Sequence, residues 1–259
     1  MTIPMLRTRV IPCLLLKGNG FYKTTRFKNP VYLGDPVNIL KIFNDKEVDE
    51  IFVLDIGTTS MQKDVNMSLL RDFASECFMP LGYGGGIKNL DQMKAIFQLG
   101  FEKIAVNTAA FENPRLVTQG ANSFGSQSIV VSIDVKRSLL GSYEVMTRSG
   151  NQKTGRHPVE YAMEMESRGA GELLVNSIDR DGTMEGYDLK LVKSVATAVS
   201  IPVIAIGGAG GIGHLGAVVK EAGASAAAAG AMFVFQGPHR AVLINVPSPE
   251  ELQSIFTAS

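Results

Sequence analysis

Three short strings recur at half the length of the chain, and a repeat of that kind restricts the fold more than composition does. Val-Leu-Asp-Ile-Gly (53–57) is followed by Gly-Gly-Gly (84–86) and Asn-Thr-Ala (107–109). Ser-Ile-Asp-Arg-Asp-Gly-Thr (177–183) is followed by Gly-Gly-Ala-Gly (207–210) and Gly-Ala-Met (230–232). Asp55 and Gly84 are 29 positions apart, Asp179 and Gly207 28, and the next interval is 23 in both halves. Between these landmarks β-rich apolar runs alternate with helix-period segments. Strands are predicted at 10–16, 51–56, 79–83, 103–106, 129–135, 172–176, 202–206 and 225–229. Helices are predicted near 36–45, 66–76, 89–98, 114–121, 158–167, 189–199, 212–222 and 249–256. The strands are continuous apolar runs, as expected where both faces of a parallel sheet are covered.

Eight such units in 259 residues predict a (β/α)8 (TIM) barrel, a fold of roughly 250 residues. One barrel spanning 1–259 is expected, with half-barrels at about 5–124 and 125–236 and a tail at 237–259. A doubly wound open sheet competes, but usually carries fewer strands. The alanine-rich run at 225–229 is weak by propensity, and its assignment rests on the repeat.

The 45% apolar share is ample for one core, and 25 basic residues cancel 25 acidic ones. No global field therefore favours nucleic acid or an anionic membrane. The start at Met1 leads directly into a strand pattern without a signal peptide, and the low-polarity run at 223–235 is too short to span a bilayer. Cys13 and Cys77 read as buried reduced thiols, so a cytoplasmic protein is expected. His157, His214 and His239 are scattered and suggest no metal site, and no cofactor is implied.

The glycine turns at 84–86 and 207–210 fall where a strand ends and a helix begins. Glycine there lets backbone N–H groups approach an oxyanion, and the helix dipole adds to the attraction. Either these glycines only make tight turns, or paired cups, completed by Asn107-Thr108 and Gly230-Ala231, hold the two phosphates of one long substrate. Strands 1 and 5 are repeat partners, so Cys13–Lys17 aligns with Ser132–Lys136. Asp134, at a strand's C-terminal end, suits a general acid or base, or else caps a loop. Its counterpart is Leu15, which cannot transfer protons.

At the opposite rim Arg9, Glu50, Lys103 and Glu172 stand at strand beginnings. A ring of ion pairs there is either a stabilising plug or a gate admitting a small molecule. The segment 17–34, with Lys17, Lys23, Arg26 and Lys28, is either a mobile lid that brings Lys23 to a phosphate or a solvated loop.

The strings at 9–14, 84–87, 106–114, 132–137, 177–183 and 207–210 closely resemble the cyclase subunit of imidazole glycerol phosphate synthase, over residues 5 to about 236. The resemblance implies a (β/α)8 barrel that takes ammonia from a glutaminase docked at its floor. Such a lyase of histidine biosynthesis cyclises and cleaves a bis-phosphorylated ribonucleotide to imidazole glycerol phosphate and AICAR. Carried over, the phosphate sites fall on Gly86, Asn107 and Thr108, and on Asp181, Gly182, Gly208, Gly230 and Ala231, where the family has serine. Lys23 matches the family's loop lysine, and Glu102 would lie in the glutaminase interface. Arg9, Glu50, Lys103 and Glu172 match its ammonia gate, and Asp134 matches one of two catalytic aspartates. Leu15 stands in place of the other.

The tail at 237–247 resembles paralogues found with surface-polysaccharide genes, which accompany a glutaminase and a sugar amidotransferase. The leading expectation is an ammonia-channelling subunit serving sugar amidation in lipopolysaccharide-type biosynthesis, with a glutaminase, a sugar amidotransferase and a phosphorylated ligand as partners. The alternatives are a genuine cyclase of histidine biosynthesis and a non-catalytic scaffold.

Overall fold

Strands β1 (Arg9–Lys17), β2 (Ile51–Asp55), β3 (Leu81–Gly84), β4 (Lys103–Val106), β5 (Ile129–Arg137), β6 (Glu172–Ser177), β7 (Val203–Ile206) and β8 (Ala226–Ala229) pair in parallel in chain order. β8 returns to β1, with Arg9 opposite Ala226 and Pro12 opposite Ala229, so the ring is closed. The protein is a (β/α)8 barrel, seen in a computed structural model that describes residues 8–61 and 64–257. The expected half-barrel start at residue 5 lies outside the described residues.

The strand-to-strand segments carry α1 (Pro36–Asp45), α2 (Met67–Glu76), α3 (Leu90–Gln98), α4 (Arg115–Phe124), α5 (Pro158–Ser167), α6 (Leu189–Ala196) and α7 (Ile212–Lys220); α8 (Pro249–Thr257) follows β8. Short acceptor side chains start four of them. Asp35, Asn66, Asn89 and Asp188 accept from the N–H groups of Asn38, Leu69, Gln92 and Leu191, satisfying donors that a helix start leaves free.

The period-two alternation of strands sorts side chains into two layers. On β1, Leu14 and Leu16 join the large layer between strands and helices, while Ile11 and Cys13 point into the barrel. The inner layer adds Phe52, Ala105, Val130, Leu174, Ile204, Ala226 and Ala228. Gly82 makes room for the Phe52 ring, whose Cε1 would lie 2.5 Å from a Cβ there. The alanines of β8 pair with β1 over Ala226–Ala229 and with β7 at Ala226 and Ala227, so pairing on both sides overrides their weak propensity.

The segment 17–34 is not a loop, which corrects the sequence reading. β1 turns at Gly18 into Gly20–Thr25, which pairs antiparallel with Leu15–Lys17, and Lys28–Gly34 adds a further strand. β5 likewise runs past residue 135 and is joined antiparallel by Tyr143–Thr147, a strand the sequence analysis missed. Cys13 is buried as expected but Cys77 only half so, and both are free thiols. Among the described residues, no helix is long and apolar enough to cross a membrane.

Candidate functional site

Charge is concentrated at the two ends of the barrel. At the N-terminal end, Arg9 Nη1 binds Glu50 Oε2, and Arg9 Nη2 lies 2.8 Å from Glu172 Oε1. Lys103 Nζ lies 3.0 Å from Glu50 Oε1 and 2.9 Å from Glu172 Oε2. Cation and anion thus alternate around a closed square, each charge touching two of opposite sign. Glu50 and Glu172 are buried, a position that costs several kcal/mol per ion (roughly) unless paired. The four residues nominated from the sequence come together as one cluster.

At the C-terminal end a cavity of about 750 Å³ opens, lined by every other nominated site residue. Leu15 and Asp134 border it, Gly86, Asn107 and Thr108 border it, and so do Lys23, Asp181, Gly182, Gly208, Gly230 and Ala231. The glycine turns match in conformation as well as in spacing. Gly85 has φ +118° and Gly208 φ +115°, and a Cβ at either would fall 2.3 Å from the Asp55 carbonyl oxygen or 2.1 Å from that of Gly186. Only glycine fits that left-handed, crowded backbone. Asn107 Nδ2 donates to the Ser132 carbonyl at 2.9 Å, and Thr108 Oγ1 accepts from Arg148 N–H at 3.0 Å.

Lys23 is buried, with Nζ 2.7 Å from Asp181 Oδ1, while Thr24 Oγ1 donates to Asp181 Oδ2 at 2.9 Å. A Cβ on Gly230 would lie 3.1 Å from Lys23 Cδ and Cε, so the lysine stem crosses the second glycine cup. The hairpin is therefore fastened over the mouth by a buried ion pair, with the Lys23 stem against Gly230.

Asp134 does not cap a loop: its Oδ1 accepts from Asn176 Nδ2 at 3.2 Å. Burial pushes its carboxyl up to about 7; the Asn176 hydrogen bond lowers it and the nearby Asp181 charge raises it. Asn176 Oδ1 is buried without a hydrogen-bond partner among the described residues. Turning that amide over exchanges its two ends, and a protonated Asp134 then supplies the missing donor. Leu15, two residues beyond Cys13 on the same inward face, offers nothing to titrate.

Stability should follow this proton. In the unfolded chain Asp134 ionises near 3.9 (roughly), so the unfolded state sheds its proton between about pH 4 and pH 7 while the native state keeps it. Stability contributed below about pH 4 is lost as pH rises through 7. Asp134→Asn should flatten that decline and raise stability at pH 8 by on the order of 4 kcal/mol. Thermal melts of both proteins from pH 4 to pH 8 check this; parallel profiles would remove the raised carboxyl.

Sequence reasoning did not nominate Asp55 or Asn176. Asp55 borders the mouth at the end of β2, its Oδ1 accepting from Gly57 N–H at 2.8 Å and Thr58 N–H at 3.0 Å. Burial raises its carboxyl against these bonds. The signal was present, since Asp55 is the landmark of the first string. Asn176 had none, because its role depends on the neighbouring strand. Two of the scattered histidines serve local structure: His157 Nδ1 accepts from Val159 N–H at 3.4 Å and His214 Nδ1 from Gly210 N–H at 3.1 Å. No group of three metal-binding side chains occurs among the described residues.

The family model described as "Histidine biosynthesis protein" matches residues 9–238, the whole barrel. Among known proteins, the chain is 48% identical over 248 residues to the "Putative imidazole glycerol phosphate synthase subunit hisF2" of Pseudomonas aeruginosa, covering 96% of this chain and 99% of that one. It is 47% identical over 253 residues to a "Putative imidazole glycerol phosphate synthase subunit HisF" of Leptospira borgpetersenii, covering 97% and 100%. It is 40% identical over 229 residues to the "Imidazole glycerol phosphate synthase subunit HisF" of Alkaliphilus metalliredigens, covering 88% and 91%. With the closed barrel and its glycine-lined mouth, these matches over nearly full length show that the chain belongs to the histidine biosynthesis protein family and, within it, to the HisF subunits.

Proposed function

We propose that this chain is the ammonia-conducting, synthase-type subunit of a cytoplasmic glutamine amidotransferase complex, and that it serves sugar amidation rather than imidazole formation. A glutaminase docks on the floor, where Arg9, Glu50, Lys103 and Glu172 gate the entrance. Neutral ammonia then crosses the apolar interior, past Ile11, Phe52 and the alanines of β4 and β8. Ammonium, which must shed its hydration shell to enter such a layer, is held back. At the mouth the two cups, Gly86 with Asn107 and Thr108, and Gly208, Gly230 and Ala231 with Lys23, Asp181 and Gly182, hold a phosphorylated ligand, with Asp134 between them. Two half-barrels, about 5–124 and 125–236, account for the pairing of the cups.

The observation that carries this reading is Leu15. A hydrocarbon borders the mouth that Asp134 also lines, so a mechanism needing a carboxyl at the Leu15 position as well as Asp134 lacks it. Ammonia delivered there passes to a sugar amidotransferase of surface-polysaccharide synthesis or acts on an activated sugar at the mouth. The test is a glutamine-dependent amidation assay with glutaminase and amidotransferase, with and without this chain. Full activity in its absence removes the proposal.

A second reading, a genuine cyclase, has Asp55 in its favour, a carboxyl of raised pKa on the strand next to Leu15. Complementation of a strain lacking the cyclase decides it, and failure despite soluble protein counts against it. A pure scaffold is the third reading, and unimpaired ammonia transfer after replacement of Lys103 would favour it.

The second cup has its own test. Ala231→Ser adds a hydroxyl donor and is expected to tighten phosphate binding by about 0.5–1.5 kcal/mol, roughly 2- to 12-fold, measured by titration calorimetry. Unchanged affinity would take Ala231 out of the cup.

A further inference from the structure

We propose a second anion site on the outer side of the mouth, made for a phosphate-bearing small molecule such as pyrophosphate or a nucleoside diphosphate. A concavity of about 570 Å³ lies there, where Arg26, Lys28, Lys136 and Arg240 face Asp179 and Glu185 as the lining carboxylates among the described residues. Three separate stretches of chain supply the cations: the first hairpin, the extension of β5, and the tail. The fold has therefore gathered charge that the sequence keeps far apart.

The excess positive charge is not spent within the protein. Among the described residues none of the four cations has a carboxylate ion-pair partner. The carboxylates, by contrast, have other partners: Asp179 Oδ2 accepts from Arg137 N–H at 2.7 Å, and Glu185 Oε2 lies 3.7 Å from Arg180 Nη1. Both arginines are held in place through carbonyls, Arg26 Nε donating to Asp179 O at 3.1 Å and Arg240 Nη2 to Gly182 O at 3.0 Å. Arg240 also lies over the Phe235 ring, 4.6 Å from its centroid. Each guanidinium thus keeps further N–H groups for a ligand.

Backbone strain points to the same place. Of the eight described non-glycine residues with positive φ, Arg26 (53°), Asn29 (51°) and Arg240 (51°) line this concavity. Left-handed backbone at such residues costs stability and collects at functional sites. Here it aims two arginines at one space.

The outer site is separate from the inner cups. Asp181 and Gly182 line the inner cavity, while Arg240 holds Gly182 from the other side. Arginine forks with lysine point charges in a concave wall suit the clustered oxygens of a diphosphate. A flat acidic protein surface would not reach into the concavity.

The test is calorimetric titration of inorganic pyrophosphate into the full chain at about 150 mM salt, where long-range attraction is screened. Lys28 and Lys136 are exposed, so the double variant Lys28→Ala/Lys136→Ala should keep the fold, checked by circular dichroism. The expected result is one binding event weakened by about tenfold or more in that variant, and the same event unchanged in Ala231→Ser, which alters the second inner cup without touching the hairpin. Pyrophosphate soaked into wild-type crystals should show density between Arg26 and Arg240. Identical isotherms, density in the inner cups alone, or tighter binding of an acidic peptide than of pyrophosphate would each overturn the proposal.

Discussion

Leu15→Asp is expected to raise ammonium-driven cyclase turnover of the bis-phosphorylated histidine precursor by roughly 10²–10⁴-fold, the range that one positioned acid or base supplies. Leu15 already lines the cavity shared by Asp134 and both glycine turns, so the new carboxyl enters a polar space rather than the core. Its charge would also hold the Asp134 proton more tightly, a familiar behaviour of carboxyl pairs. The measurement uses ammonium salt without glutaminase, so the gate and the docking partner do not enter. Two outcomes defeat the proposed function: an unaltered chain that turns the precursor over at an ordinary rate of about 1–10³ s⁻¹, or a variant no faster than its parent. Asp55→Asn in the same assay separates the two readings further, because activity borrowed from Asp55 would vanish with it.

Lys103→Met is expected to destabilise the protein by about 3 kcal/mol, the lower end for breaking a buried ion pair, because Lys103 retains some solvent contact. Removing it leaves Glu50 and Glu172 sharing Arg9 alone. A drop in melting temperature of roughly 6–12 °C follows for a barrel of this size. The same variant distinguishes plug from gate. As a gate component, Lys103 should also be needed for glutamine-driven amidation while free ammonium still supports it. If both nitrogen sources serve equally well in the variant, the ring is a plug and its worth is stability alone. An unchanged melting temperature would contradict the closed square itself.

The barrel was legible because its signals are local and repeated. Apolar runs, helix-period segments and the matched glycine spacings all point to one architecture. Ser225–Ala229 shows the strength of the repeat, since its alanines would not have been read as a strand alone. The floor was legible as four charged residues at strand starts, but not as a square, because that depends on barrel closure. The hairpins were not legible. Gly20–Thr25 carries good strand formers, but its lysine and neighbouring Arg26 read as surface, and its pairing needs β1 as a template. Leu15 stood out only through its alignment with Asp134. Asn176 could not have been found, since a carboxyl on the adjacent strand alone gives its amide a purpose.

A closed barrel has no free sheet edge, yet the strand Lys28–Gly34 reintroduces one, since among the described residues it pairs only with Gly20–Thr25. Val31 and Tyr32 are exposed along it, a combination that invites another molecule to add a strand. Pro30 cannot donate to an incoming ladder, and Lys28 brings repulsive charge beside it. The outer margin of the first hairpin is thereby insulated against self-association. A Pro30→Val change would strip that insulation and make the rim adhesive.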